Sequence, residues 1–201
     1  EDERTTWFVY DEVGRLRSRT DDNQHTTTFE YDDLDRLRFE IGPAPTNYVT
    51  EYRYDFDGNR IQKIDCNGNS IFYEYDIRGR LIKTTDALGN TTTQTYDNND
   101  NQTSVTDKNG NTTTFDYDVQ NRLERTTDAL GNVSIRAYDG VGNLLAETDA
   151  NGNTTTHEYD ELNRRIKTTD AIGCETLFEY DGVGPNWCVG CTGPTLGSSL
   201  V

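Results

Sequence analysis

Apolar residues along this chain come in pairs two positions apart, set in long polar stretches. In TTTFDY, residues 112–117, Phe115 and Tyr117 fall on one face of a β-strand and Asp116 on the other. The same pattern returns at a fixed interval. Tyr10-Asp11, Tyr31-Asp32, Tyr54-Asp55, Tyr75-Asp76, Tyr96-Asp97, Tyr117-Asp118, Tyr138-Asp139, Tyr159-Asp160 and Tyr180-Asp181 follow one another at spacings of 21, 23 and then 21 six times. A period of that size marks a repeat architecture and outranks any local motif as a clue to the fold.

Each unit reads as two strands and two reversals. The residue two before the tyrosine is aromatic in six units (Phe8, Phe29, Tyr52, Tyr73, Phe115, Phe178), so the aromatic pair predicts the core face. After Tyr-Asp come short turns such as EVGR, FDGN, IRGR and GVGN, where Gly or Asn supplies positive φ and Asp caps the turn. A second strand follows with an early aliphatic residue, at Leu16, Leu37, Ile61, Leu81, Leu123, Leu144 and Ile166, and runs into Thr-Asp. The next reversal, DCNGN, DALGN, DKNGN, DANGN or DAIGC, keeps Gly68, Gly89, Gly110, Gly131, Gly152 and Gly173 in register and reads as the looser of the two.

The expected fold is therefore all-β: tandem ~21-residue β-hairpins forming one continuous antiparallel, spiralling sheet, as a shell, tube or solenoid. Nine units would extend ~85 Å along the hydrogen-bonding direction. Two interruptions stand out. GPAPTNY, with Pro43 and Pro45, reads as an excursion or an edge, because proline cannot donate to a ladder. The C-terminal stretch shows no second strand, which predicts a repeat region over 1–184 with an incomplete ninth unit and a Cys/Gly/Pro-containing cap or linker over 185–201. Gln94 replaces an aromatic and DNNDNQ lacks the usual Gly and Leu, so the fifth unit is predicted to pack least well.

Composition removes the ordinary source of stability. Only 32% of the 201 residues are hydrophobic, mean hydropathy is −0.89 and the formal charge is −17, values that overlap disordered chains. Many small cross-strand terms must then replace one large core. A pI near 4.4 argues against nucleic acid and anionic membrane surfaces. No stretch has the apolar length of a membrane helix, so membrane insertion is not expected. The absence of Met, position 1 included, reads as a processed or excised chain.

The pattern Tyr-Asp, Gly-Arg or Gly-Asn, Leu, Thr-Asp, Gly-Asn-Thr-Thr resembles the YD repeats of the rearrangement hot spot (RHS) family over residues 7–184. The resemblance implies a large secreted or cell-surface protein, such as a polymorphic toxin, an insecticidal toxin complex component, a wall-associated protein or a teneurin. It also implies a β-ribbon wound into a hollow shell that in toxins encloses an effector, with repeats that are not themselves enzymes. Within these 201 residues there is no DPxGL-type motif and no stretch that reads as an effector, so an enclosed toxin is not expected from this segment itself.

Chemistry is read against that background. The Asp/Asn loops suit calcium by ligand type, but Gly falls fourth in DANGN instead of sixth as in an EF-hand, and turn chemistry explains the same residues. No metal or cofactor is expected. Asn90, Asn101, Asn111, Asn132 and Asn153 each open an N-glycosylation sequon. Cys66, Cys174, Cys188 and Cys191 are candidate disulfide cysteines: Cys174 is placed to bond the tail, while Cys66, five units away, is free or meets another chain. Zinc on Cys174, Cys188, Cys191 and His157 is a weaker alternative. His25 and His157 occupy non-equivalent repeat positions and no catalytic set forms around them.

The expectation is a non-enzymatic, extracellular structural module that self-assembles into a tube or filament or forms a shell. The alternative is a fragment of the shell of a secreted toxin or adhesion protein whose activity lies outside this segment. Partners would be other copies of the chain, an enclosed effector or a surface glycan.

Overall fold

The computed structural model describes residues 5–46, 48–181 and 184–189, with Asp181 and 184–189 described through the backbone alone. Its secondary structure is all β, and no described residue is helical. Two units divide the chain. The first, Glu1–Gln94, holds β1 (Trp7–Tyr10), β2 (Leu16–Thr20), β3 (Thr26–Tyr31), β4 (Leu37–Ile41), β5 (Val49–Tyr54), β6 (Arg60–Ile64), β7 (Ser70–Tyr75) and β8 (Leu81–Thr85). The chain crosses into the second, Thr95–Val201, within β9 (Thr91–Tyr96). That unit continues with β10 (Gln102–Thr106), β11 (Thr112–Tyr117), β12 (Leu123–Thr127), β13 (Val133–Tyr138), β14 (Leu144–Thr148), β15 (Thr154–Tyr159), β16 (Arg165–Thr169), β17 (Glu175–Asp181) and β18 (Gly184–Val189).

Within each unit every strand pairs antiparallel with the next, so each is a meander of hairpins. The two kinds of junction differ. Odd-to-even hairpins carry a one-residue bulge, just before the tyrosine in all those described except β17–β18, where it falls between Phe178 and Glu179. In β11–β12, Asp116 faces Arg125 but Tyr117 faces Leu123, leaving Glu124 extra. Such bulges sharpen the local twist. Even-to-odd junctions pair three residues only, as in Ser18↔Thr28, Arg19↔Thr27 and Thr20↔Thr26, and stop short of the Tyr-Asp end.

Alternation is visible in burial. In β11, Thr113, Phe115 and Tyr117 are half-buried while Thr112, Thr114 and Asp116 are exposed. The aromatic face is nevertheless not a core. Among the described residues no apolar side chain is buried, and the buried residues are Thr27, Gly42 and His157. With no second layer described over the sheet, an aromatic ring is covered only by its neighbours along the same face, and stability rests on side-by-side contacts.

Several expectations are corrected. The reversal after Thr-Asp is no looser than the one after Tyr-Asp: in both, the first residue's N–H donates to the fifth residue's carbonyl, and the fourth N–H returns to the Asp carbonyl. A second strand does follow Tyr180-Asp181, since β18 pairs with β17 from Asp181↔Gly184 to Leu177↔Val189. Proline is compatible with the start of such a terminal strand, where a ladder N–H can be spared, and Pro185 faces Tyr180 there. GPAPTNY is an excursion and not an edge, because β4 and β5 pair on either side of it, with Ile41 opposite Val49. Gly42 donates to the Tyr48 carbonyl, and the Tyr48 ring lies where a Cβ on residue 42 would fall. In the fifth unit Asp100 takes the glycine's place at φ 69°, so the turn forms without the usual Gly, and β10 is half-buried throughout. The early aliphatic positions split into two registers: Leu123 and Leu144 open their strands, whereas Ile61 and Ile166 are bulge residues behind Arg60 and Arg165. Residues 190–201, including Cys191, lie outside the described residues, as does the Cys188 side chain.

Candidate functional site

The repeated Asp is a turn lock. In fifteen turns among the described residues the pattern is the same, and the fourth residue always has positive φ. Asp65 illustrates it: Oδ1 accepts from the N–H groups of Asn67 and Asn69, both at 2.9 Å, and Oδ2 accepts from Asn69 Nδ2 at 2.9 Å. In thirteen of the fifteen turns the fifth residue is Asn or Arg, the exceptions being His25 and Cys174; Asn and Arg can each return a donor to Oδ2, as Arg122 Nε does to Asp118 at 2.7 Å. These bonds favour the ionised carboxylate. The Asn132 amide, followed by its backbone N–H, holds Asp128 below its ordinary pKa, and the Arg80 guanidinium does the same for Asp76.

The repeated Tyr is a lateral clamp. Where an even-to-odd ladder stops short, the first carbonyl of the even strand is left without a backbone donor, and the next tyrosine hydroxyl supplies one. Tyr31 donates to the Leu16 carbonyl at 2.9 Å, Tyr54 to Leu37 at 2.8 Å and Tyr75 to Arg60 at 3.0 Å in the first unit. Tyr117, Tyr138, Tyr159 and Tyr180 do so in the second, to Gln102, Leu123, Leu144 and Arg165 at 2.8–3.1 Å. Burial raises the pKa of the Tyr54, Tyr75 and Tyr117 hydroxyls.

Arginine closes the clamp from above. Arg15, Arg36, Arg122 and Arg164 each lock their own turn and lie over the next unit's tyrosine ring, at 5.1, 4.8, 4.6 and 4.6 Å from the centroid. The spare donors reach the next turn. Where its positive-φ position is Asp or Asn, that side chain accepts, as Asp35 does from Arg15, Asn121 from Asn101 and Asn163 from Asn143. Where it is Gly, the guanidinium takes a backbone oxygen instead: Arg36 that of Asp55 at 2.9 Å, Arg122 that of Asp139 at 2.7 Å. This hand-over from one turn to the next is a pairing that sequence reading missed, because Arg and Asn each precede both Gly and Asp/Asn turns.

A model of the RHS repeat matches residues 10–38, 54–91, 75–112, 96–133 and 138–173. The chain belongs to the RHS repeat family. Comparison with curated proteins gave no match. Among solved structures, it is similar to a crystal structure of TcdB2-TccC3-TEV, with TM-score 0.68 and 19% identity, covering 89% of this chain and 11% of that one. It is also similar to the Photorhabdus luminescens Tc holotoxin pore carrying a mutated TccC3, with TM-score 0.71 and 19% identity over 89% and 11% of the two chains. These likenesses concern the fold, and the present chain spans about a ninth of the length of either relative.

Within this RHS ribbon the remaining candidate residues fall in turns. Asn90, Asn111, Asn132 and Asn153 are the fifth residues of Thr-Asp turns, each with Nδ2 bonded to the Asp carboxylate. Asn101 uses both amide protons, toward Asp97 and Asn121. Cys66 is a free, exposed thiol on the 65–69 turn. Cys174 closes the 170–174 turn and is disulfide-bonded. His157 fills the aromatic position of its unit with Nδ1 3.0 Å from Thr168 Oγ1; burial, then the nearby Arg165, lowers its pKa. His25 is exposed and caps Asp21.

One surface feature is not explained by turn chemistry. Seven of the eight described Tyr-Asp turns end in an exposed apolar side chain: Val13, Leu34, Phe56 and Ile77 in the first unit, and Val119, Val141 and Leu162 in the second; the 97–101 turn has Asn98 and Asn99 instead. Phe56, Ile77 and Val119 are as exposed as in an extended chain. Among the described residues of the Thr-Asp edge, only Leu88, Leu130 and Ile172 are comparable.

Proposed function

We propose that this RHS repeat segment is a non-enzymatic, extracellular structural module whose job is to form wall. The observation that carries this reading is the use made of the repeated polar groups. Asp, Tyr, Arg and Asn would make a plausible reactive set if they converged once. Here they are spent in every repeat on locking a turn and tying it to the next, so repetition adds sheet area and not copies of a site. The fold shared with the two Tc proteins supports a wall that encloses a cargo within a longer protein. In that reading the partner is an enclosed effector, and any toxic activity lies outside these residues.

A second reading, in which copies join edge to edge into a tube or filament, draws support from the apolar turn tips. Electron microscopy of the native material separates the two. Closed hollow particles fit the enclosing wall and long uniform filaments fit self-assembly. Dispersed compact particles that bind or turn over a small substrate would defeat both.

A further inference from the structure

We propose that the Tyr-Asp edge of the ribbon is a self-complementary zipper, occupied by the same edge of a second copy of this chain. The inference rests on the edge-joining reading and assigns it to one edge. A five-residue Asp turn asks nothing apolar of its second and third residues: Glu12, Asp33, Arg78, Gln120 and Glu161 occupy those positions in the same turns. Yet each of these turns, and two more through Phe56 and Val141, also carries a Val, Leu, Ile or Phe there, exposed to solvent, while the 97–101 turn has Asn98 and Asn99 instead. Single exposed apolar residues are ordinary, whereas an aligned series marks an interaction surface.

Spacing selects the occupant. Successive tips on one edge are separated by two strands, roughly 9.6 Å, which leaves gaps of about one aliphatic side chain between teeth. A partner can fill several gaps at once only if its own protrusions repeat at the same interval, and the equivalent edge of a second copy does so. Such an arrangement is isologous and closes as a two-fold pair. Each tip offers roughly 60–120 Å² by the usual area coefficient. The four tips of the first unit therefore give roughly 240–480 Å² and the three of the second roughly 180–360 Å². Either is below the ~800 Å² per partner of a standard interface, so the pair formed through one unit's edge is weak and concentration-dependent.

Charge sets the conditions. Glu12, Asp33, Asp57 and Glu161 are exposed beside the tips, so two such edges repel at low ionic strength. Screening beyond a Debye length of about 8 Å relieves that repulsion, and association should strengthen as salt is added.

Sedimentation velocity of the whole chain across protein and salt concentration tests this. The expected result is a dimer favoured by salt, with the dissociation constant weakened about tenfold for each tip removed in Phe56→Ser, Ile77→Ser and Leu162→Ser. Circular dichroism should be unchanged, since these side chains are largely exposed. In a Cys66→Ser background, Ile77→Cys should cross-link two copies on oxidation while Leu88→Cys, on the opposite edge, should not. Association that survives all three serine variants, or that links through Leu88→Cys instead, overturns the zipper and leaves edge joining standing. A chain that stays monomeric at every salt concentration overturns both.

Discussion

Replacing Tyr54 by Phe removes one oxygen and nothing else, which isolates the clamp from the ring. Tyr54 is half-buried, its hydroxyl donates to the Leu37 carbonyl at 2.8 Å, and its ring lies under Arg36 at 4.8 Å. A net hydrogen bond contributes about 0.5–1.5 kcal/mol, and the Leu37 carbonyl sits at a ladder end that water can reach, so about 1 kcal/mol is the expected loss. With a urea m-value of roughly 2–3 kcal/mol/M for a chain of this size, the midpoint should fall by about 0.3–0.5 M at unchanged slope. Tyr54→Ala adds loss of the half-buried ring, roughly half of the 3–5 kcal/mol seen for a fully buried aromatic, and of the stacked cation at about 0.5–1 kcal/mol, for about 3–4 kcal/mol in all. A cycle with Arg36→Ala should return a coupling of about 0.5–1 kcal/mol. Tyr138→Phe, in the other unit, should add its own loss to that of Tyr54→Phe without interaction. A Tyr54→Phe midpoint indistinguishable from the parent would refute the clamp and leave the signature tyrosine needing another explanation.

Acid should unfold the chain in two stages. His157, faced by Arg165, Glu147 and Thr168, has its folded pKa below its ordinary 6.5, so the stability it contributes is present above 6.5 and lost as pH falls through the folded value. The turn carboxylates Asp65, Asp107, Asp128 and Asp149 are likewise lowered from 3.8, so their shared contribution is lost together below that pH, giving a steep second limb. Midpoints measured against pH should show both limbs, and His157→Phe should remove only the first; a flat profile down to the carboxylate range contradicts the assignment. At Gly131, φ is 83° with open space around the missing Cβ, so Gly131→Ala should cost about 1–2 kcal/mol through backbone conformation alone. Gly131→Asn should cost clearly less, and equal losses for the two would count against the left-handed turn. Iodoacetamide on the native protein, followed by mass spectrometry, should label Cys66 and spare Cys174 until a reductant is added.

The period, the strand positions and the role of Asp in turns were legible in the sequence because each is local and repeated nine times. Two things were not. Equivalence of the two reversals is hidden because Arg and Asn look unlike as residue types, although each returns one donor to the same carboxylate oxygen. The tyrosine's use was hidden because its partner is a main-chain carbonyl fifteen or more residues earlier, whose identity as a residue does not matter; Leu16, Arg60 and Gln102 serve equally. The expected core face failed for a related reason. Alternation reports which side of a strand is more covered and cannot report whether anything lies over it.

Every clamp described within a unit joins a hairpin only to its immediate successor. A ribbon tied in this way has no keystone. Under tension along the chain it should yield one hairpin at a time, each releasing roughly 70 Å of slack for 21 residues, with later hairpins held until their own clamp is reached. Damage to one repeat is confined to its neighbours, and the material property that results is toughness.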